Sequence, residues 1–316
     1  MRYISRLGIV CAIIGVAVLS GCSAMQQVIH PAPTQSMPQT MAESCGKPAN
    51  GKYVGLSVTK NNLIVPTEQA IGITANVVTM YYSIGATVYP QSLTDLCEDH
   101  KLPILDLGSE NYSLTQIADG AEDGYFKNLA SMVGSLQIPV GIDFDHEFNG
   151  SWYKWGYTHA QPSEFIAAWR HIVDLFRNNG ATDVIWIWNP NVIMLRTTND
   201  LQAWYPGDGY VNWVGLDGYF YSSTESYAGI FDNTIGQIRK FTQRPFIIVE
   251  TGANPASGQA RGITSLFQGV AKTPGMLGLI YFDYDKTPTH NWYINKDPSA
   301  LAAFKAGAAA YLNGSG

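Results

Sequence analysis

Basic residues are scarce in this chain: 19 Lys and Arg stand against 25 Asp and Glu in 316 residues, a formal net charge of −6. Without a basic tract there is no electrostatic footprint for nucleic acid, and no such partner is expected. Charge of either sign makes up only 14% of the residues, while 46% are hydrophobic and 12% aromatic. That balance excludes intrinsic disorder, which needs few apolar groups and much like charge. The four cysteines form no paired-cysteine metal motif, and neither a phosphate-binding glycine loop nor a Gly-x-Ser-x-Gly elbow is present. The histidines are scattered, and where His146-Glu147 could begin a zinc-binding His-Glu-x-x-His, Gly150 occupies the second histidine's place. Neither a metal nor a cofactor is expected.

Long apolar runs are also missing. The run over 7–19, preceded by Arg2 and Arg6, is too short to span a bilayer as a mature helix and reads as an export signal. Leu19-Ser20-Gly21-Cys22 resembles a bacterial lipobox, which implies cleavage before Cys22 and lipidation of its thiol. An ordinary signal peptide followed by an unrelated cysteine is the alternative. Removing 1–21 deletes two positive charges and no acid, which takes the net charge from −6 to about −8. The expected organisation is a signal over 1–21, a flexible tether rich in Pro, Gln, Ser, Thr and Met over 22–50, and one domain over 51–316. Such a protein would be exported and lipid-anchored to the cell envelope, at the outer membrane or the periplasmic face, its anchor the contact with the membrane. Cys11 leaves with the signal and Cys22 carries lipid, so Cys45 and Cys97 remain for a disulfide in an oxidising compartment. Two separately buried thiols are the alternative.

After the tether, short β-type runs alternate with helix-type stretches to the C-terminus. The runs cover 53–57, 77–82, 103–107, 140–145, 184–188, 213–219, 246–250 and 277–282. Eight such units in about 260 residues predict an α/β fold, a single (β/α)₈ TIM barrel. One helix is especially clear: Pro162 suits its first position, Phe165, Ile166, Trp169, Ile172, Val173 and Phe176 recur at helical spacing, and Gly180 suits the position past its end.

In a barrel of this kind the reacting groups come from the C-terminal ends of the strands. Asp106, Asp145-His146-Glu147, Asn189, Asp217 with Tyr219, Glu250, and Asp283 with Asp285 occupy such places. Glu147 and Glu250 each close a mainly apolar run. Two carboxylates facing one another across a barrel mouth suit glycoside hydrolysis, in which one protonates the leaving oxygen and the other attacks the anomeric carbon or activates water. Taken singly, each glutamate is as well explained as a helix cap or a solvated loop charge. The aromatic side chains of Trp152, Trp155, Trp188, Trp204, Tyr205, Tyr221, Tyr281 and Trp292 are candidates for sugar-stacking platforms, with core packing the alternative for each. Trp186 and Trp188 share parity on one strand, so at least one is expected in the core.

The run Asp145-His146-Glu147-Phe148-Asn149-Gly150-Ser151-Trp152-Tyr153-Lys154-Trp155-Gly156 resembles the acid/base motif of glycoside hydrolase family 26. Three more motifs continue the resemblance in order: Trp186-Ile187-Trp188-Asn189-Pro190-Asn191, Val211-Asn212-Trp213-Val214-Gly215-Leu216-Asp217-Gly218-Tyr219, and Ile248-Val249-Glu250-Thr251-Gly252. Leu279-Ile280-Tyr281-Phe282-Asp283 is similar to the family's last strand.

The resemblance implies a retaining hydrolase of a β-linked polysaccharide or oligosaccharide, acting as a monomer without a cofactor. Glu147 would be the acid/base and Glu250 the nucleophile, with carboxyls about 5–5.5 Å apart. His146 would position the acid/base, Tyr219 would donate to Glu250, Trp152 would stack on a sugar, and Trp155, Trp188, Asp217 and Tyr281 would join the substrate-binding surface. The commonest activity implied is endo-β-1,4-mannanase. Asp143, however, stands where the family's mannanases commonly carry arginine, which keeps open a β-glucanase, a β-1,3-xylanase, an exopolysaccharide hydrolase, or a carbohydrate-binding lipoprotein without catalysis. In an unbroken strand Asp143, Asp145 and Glu147 would line one face, three acids raising at least one pKa.

Overall fold

The eight apolar runs are eight parallel strands in a computed structural model that describes residues 45–46, 48–58, 63–255, 258–287 and 290–314. The export signal, Cys22 and the tether before Cys45 lie outside the described residues. The strands are β1 (Tyr53–Ser57), β2 (Val77–Ser83), β3 (Leu102–Gly108), β4 (Val140–Phe144), β5 (Val184–Trp188), β6 (Trp213–Phe220), β7 (Phe246–Ala253) and β8 (Met276–Phe282). They pair in sequence order, and β1 returns to β8 in the register Tyr53↔Gly278 to Ser57↔Phe282, which closes the barrel.

Helices surround it: α1 (Ile64–Ile71), α2 (Pro90–Glu98), α3 (Leu114–Ala118), α4 (Asp123–Leu136), α5 (Pro162–Asn178), α6 (Asn233–Ile238), α7 (Gln259–Lys272) and α8 (Pro298–Leu312). The clearest of the predicted helices is α5. Pro162 begins it, a reciprocal box between Gln161 and Glu164 satisfies its first donors, and Phe165, Trp169, Ile172, Val173 and Phe176 are its buried face.

Strand parity separates two cores. Val77, Leu102, Ile104, Ile187, Ile247, Val249 and Ile280 fill the barrel interior, while the larger cluster lies between strands and helices. Trp186 and Trp188 point outward together into that larger cluster, where Trp186 meets Trp169 and Phe176. Both are core, so Trp188 is no platform for a sugar.

A disulfide joins Cys45 to Cys97, with Cα atoms 4.9 Å apart, and ties the segment before β1 to the last turn of α2. The bridge closes a loop with a sequence separation of 52 residues. In the chain-entropy account, closing a loop of that length restrains the unfolded state by about 4 kcal/mol. Reductant is therefore expected to lower the melting temperature of the protein, with the Cys45 and Cys97 thiols becoming alkylatable only after reduction. An unchanged melt once both thiols are free would contradict it.

Candidate active site

On several strands the inner face turns from apolar to polar at the C-terminal mouth. Asp106 follows Ile104 at inward parity, Asn189 follows Ile187, and Asp143 and Asp217 follow Gly141 and Gly215, whose absent Cβ atoms would point at neighbouring inner side chains. In β7 the alternation is broken. Ile247 and Val249 both fill the interior, so strict alternation would send Glu250 outward. The pairing with β6 instead slips by one residue, from Leu216↔Ile248 to Asp217↔Glu250, and this bulge re-aims the Glu250 side chain into the mouth.

Beyond β4 the chain also departs from extended geometry. Asp145 and Glu147 have φ of 53° and 52°, in the left-handed region that L residues seldom occupy. Surrounding bonds hold them there: the Asp145 carboxylate accepts from the Ser109 N–H and hydroxyl, each at 2.8 Å, and the Glu147 N–H donates to the Asn189 carbonyl at 2.8 Å. This overturns the expectation of three acids on one strand face. Asp145 is turned aside onto Ser109, and Asp143 lies deeper in the barrel.

Glu147 is buried and accepts from the Asn191 amide at one carboxyl oxygen and from the Trp152 indole N–H, at 2.5 Å, at the other. Burial pushes its carboxyl above the usual glutamate range and the charge of Glu250 adds to this, against the opposing pull of His146, Asn191 and Trp152. Glu250 is held differently. Tyr81 donates to Oε1 at 2.6 Å and Tyr219 to Oε2 at 2.5 Å. Burial and the neighbouring Glu250 charge hold both phenols well above their usual pKa, so they stay protonated as donors.

His146 is buried between Asp106, whose oxygens lie 2.9 and 3.0 Å from Nδ1, and the Tyr153 hydroxyl, 3.0 Å from Nε2. Burial alone would lower its pKa, yet the Asp106 carboxylate beside it, with Tyr153 and Glu250, raises it well above the usual value. Asp106, His146 and Glu250 bring potential ligand atoms within 4.8 Å of one another. Both nitrogens of His146 and both oxygens of Glu250 are already in hydrogen bonds, so the trio reads as a hydrogen-bonded site rather than a metal centre.

Two glycines in the loop after β4 are required by close approach. A Cβ on Gly150 would lie 2.4 Å from the Trp152 ring, and one on Gly156 would lie 2.1 Å from the Gly150 carbonyl oxygen. Trp152 can therefore fold back onto the backbone and reach Glu147, its ring half-buried at the mouth.

The other aromatic residues do not all reach the mouth. Trp155 is buried, stacks on Tyr153 at 4.4 Å between centroids and donates to the His146 carbonyl, so it braces the site from behind. Trp188 is buried against Phe148 and Tyr205 and donates to the Trp204 carbonyl. Tyr281 is buried, its hydroxyl accepting from the Ala253 N–H. These three correct the expectation of stacking platforms: they shape the wall without presenting a ring face. Trp204 and Trp292 are also buried, while Tyr221 is exposed. Asp283 turns back to accept from the Ile294 N–H, and burial pushes its carboxyl up to about 6. Asp217, expected among substrate contacts, lies fully buried beneath the mouth and accepts from Asn189.

Four participants lay outside the expected set: Tyr81, Asp106 as the partner of His146, Tyr153 and Asn191. Tyr81 was open to detection, since it shares inward parity with Val77 and Thr79. Asp106 and Asn191 depend on contacts between segments that spacing does not encode, and Tyr153 on how the loop after β4 folds back. A cavity of about 360 Å³ opens beside Glu250, lined by Tyr81, Asp106, His146, Tyr153, Phe282 and Tyr284 among others.

A closed (β/α)₈ barrel with two glutamates at its C-terminal mouth, one with its pKa raised and one clamped by phenols, has the architecture of the carboxylate-pair glycosidase class. The chain belongs to glycosyl hydrolase family 26, whose family model matches residues 80–297. It is similar to endoglucanase H of Acetivibrio thermocellus, 32% identical over 206 residues that cover 61% of this chain and 23% of that protein. It is also similar to a mannan endo-1,4-beta-mannosidase of Bacillus subtilis, 27% identical over 52% of this chain and 43% of that protein. The chain thus spans less than half the length of these curated relatives. Among solved structures, a β-mannanase from Bacteroides ovatus superposes with a TM-score of 0.64 at 17% identity, covering 86% of this chain and 92% of that one, a likeness of fold.

Removing one phenol tests the clamp on Glu250. Losing a hydrogen bond to a charged group costs roughly 1.5–3 kcal/mol. Tyr219→Phe is therefore expected to lower kcat/KM by roughly ten- to a hundredfold. Wild-type kinetics in that variant would show that Tyr81 alone holds the carboxylate.

Proposed function

We propose that the chain is a retaining hydrolase of a β-linked polysaccharide, with Glu250 the nucleophile and Glu147 the acid/base. One observation carries this reading: the two glutamates sit in different environments, Glu250 clamped by two phenols and Glu147 buried with its pKa raised. Two phenols donate to Glu250, which suits an ionised carboxylate ready to attack, while burial favours the protonated form of Glu147, which suits an acid. Endo-β-1,4-mannanase-like action is the first activity to test, because several relatives are named for it. A β-glucan is second, because of the likeness to endoglucanase H, followed by β-1,3-xylan and bacterial exopolysaccharide.

Reducing-end release from a panel of mannans, glucans and xylans identifies the polymer, and NMR of the first-formed anomer reads the stereochemistry. Retained β-anomer is expected. Binding to a polymer with no hydrolysis of any would replace the enzyme with a carbohydrate-binding protein. We further propose that 1–21 direct export, that lipidated Cys22 anchors the chain to the cell envelope through the tether to residue 50, and that the domain over 51–316 acts as a monomer. Labelled palmitate incorporated by the wild type and lost in Cys22→Ser checks the anchor, and sedimentation of the detergent-solubilised protein checks the monomer.

A further inference from the structure

Below the two glutamates, inside the barrel, Asp143 of β4 and Asp217 of β6 flank Asn189, the residue after β5. All three are buried, none more than 1% exposed. The Asn189 amide donates one hydrogen to Asp143 Oδ2 at 2.7 Å and shares the other between the two oxygens of Asp217, each at 3.1 Å. Both donors of that amide are then committed. Two oxygens of this trio remain buried without a hydrogen-bond partner among the described residues: Oδ1 of Asp143 and Oδ1 of Asn189. Buried acceptors without donors are costly and seldom left so.

We propose that Asp143 is a neutral carboxylic acid whose proton sits on Oδ1 and is donated to Oδ1 of Asn189, closing an acid–amide ring with the N–H bond to Oδ2. One proton satisfies both orphaned oxygens. It also fixes the amide's orientation, since a flipped Asn189 would set its oxygen against Asp217. The surroundings favour the neutral acid: burial pushes the Asp143 carboxyl well above its usual range, Asp106 on β3 and Glu250 on β7 push the same way, and His146 and the Asn189 donor oppose them.

Asn189 links this ring to the mouth. Its carbonyl accepts the Glu147 N–H at 2.8 Å, and Asn191, two residues on, donates to the Glu147 carboxyl. Asp143 is thus a positioning residue for Glu147, acting through Asn189 without adding a negative charge beneath the pair. The catalytic consequence rests on the acid/base reading of Glu147, whereas the protonation state does not.

Asp143→Asn tests both, because an amide at 143 can pair with Asn189 in the same ring. In the infrared difference between the wild type and Asp143→Asn at neutral pH, a carboxylic-acid C=O stretch belonging to the wild type is expected. A carboxylate band lost in its place overturns the proposal. On whichever polymer the enzyme hydrolyses, Asp143→Asn should keep kcat/KM within about twofold and leave the alkaline limb of the pH profile in place, whereas Asp143→Ala, which orphans Asn189, should lose about tenfold or more. A limb moved to lower pH in Asp143→Asn would reveal a charge at 143 and overturn the neutral acid. If no polymer is hydrolysed, the acid/base reading fails while the infrared result still decides the proton. If Asp143→Asn does not fold, neutron diffraction from the wild-type protein replaces it: a deuteron between the two Oδ1 atoms supports the ring, and its absence overturns it.

Discussion

Glu250→Ala is expected to lose hydrolysis by a factor on the order of 10⁴ or more, about 5 kcal/mol of transition-state stabilisation, and to regain part of it in azide. The alanine leaves a space facing the anomeric carbon, with the Tyr81 and Tyr219 hydroxyls no longer donating to a carboxylate. Azide entering that space attacks a β-glycoside from the opposite face and releases an α-glycosyl azide. The substrate needs a good leaving group, since the variant makes no glycosyl ester. Measuring kcat/KM with and without azide, and the anomeric configuration by NMR, checks both parts. Unaltered hydrolysis by Glu250→Ala would end the nucleophile assignment, and a β-azide from this variant would place the nucleophile elsewhere.

Glu250 also marks how far the sequence alone is legible. That it closes an apolar run was visible in Phe246-Ile247-Ile248-Val249, and barrel geometry puts such a residue at the mouth. Its orientation was not, because the bulge opposite Asp217 is a mismatch between two strands far apart in sequence. Glu147 is a similar case. Its position past β4 was legible, whereas its φ of 52° is sustained by bonds from a neighbouring strand and loop. The aromatic residues mark the clearest limit. Trp152 and Trp155 are three residues apart in one loop, yet one ring folds over Gly150 toward Glu147 and the other stacks behind Tyr153. Proximity to an acid in sequence does not distinguish a ring that lines a cleft from one that braces it. Trp188 and Tyr281 fail as platforms for a different reason: on strands covered by helices, the outward face is core.

Glu147→Ala should separate substrates by leaving group. A poor leaving group such as a sugar hydroxyl needs a proton as the bond breaks, so hydrolysis of the polymer is expected to fall by roughly 10²–10⁴-fold. An aryl glycoside that departs as a stable phenolate should keep its first step and stall as the glycosyl ester, for want of a base to activate water. Added azide should release that ester as the β-glycosyl azide, the opposite anomer from the one expected of Glu250→Ala. The pH dependence follows from the same environment. The carboxyl of Glu147 must carry a proton to act as acid, and burial with the Glu250 charge beside it raises its pKa. The alkaline limb of the wild-type profile should therefore lie above that of an ordinary glutamate, and activity should fall as pH rises through it. When Glu250 becomes an ester its charge disappears and one of the causes raising Glu147 goes with it, so the residue gives up its proton more readily when a base is needed. Equal losses on polymer and aryl glycoside in Glu147→Ala, with the alkaline limb unmoved, would contradict its role as the acid.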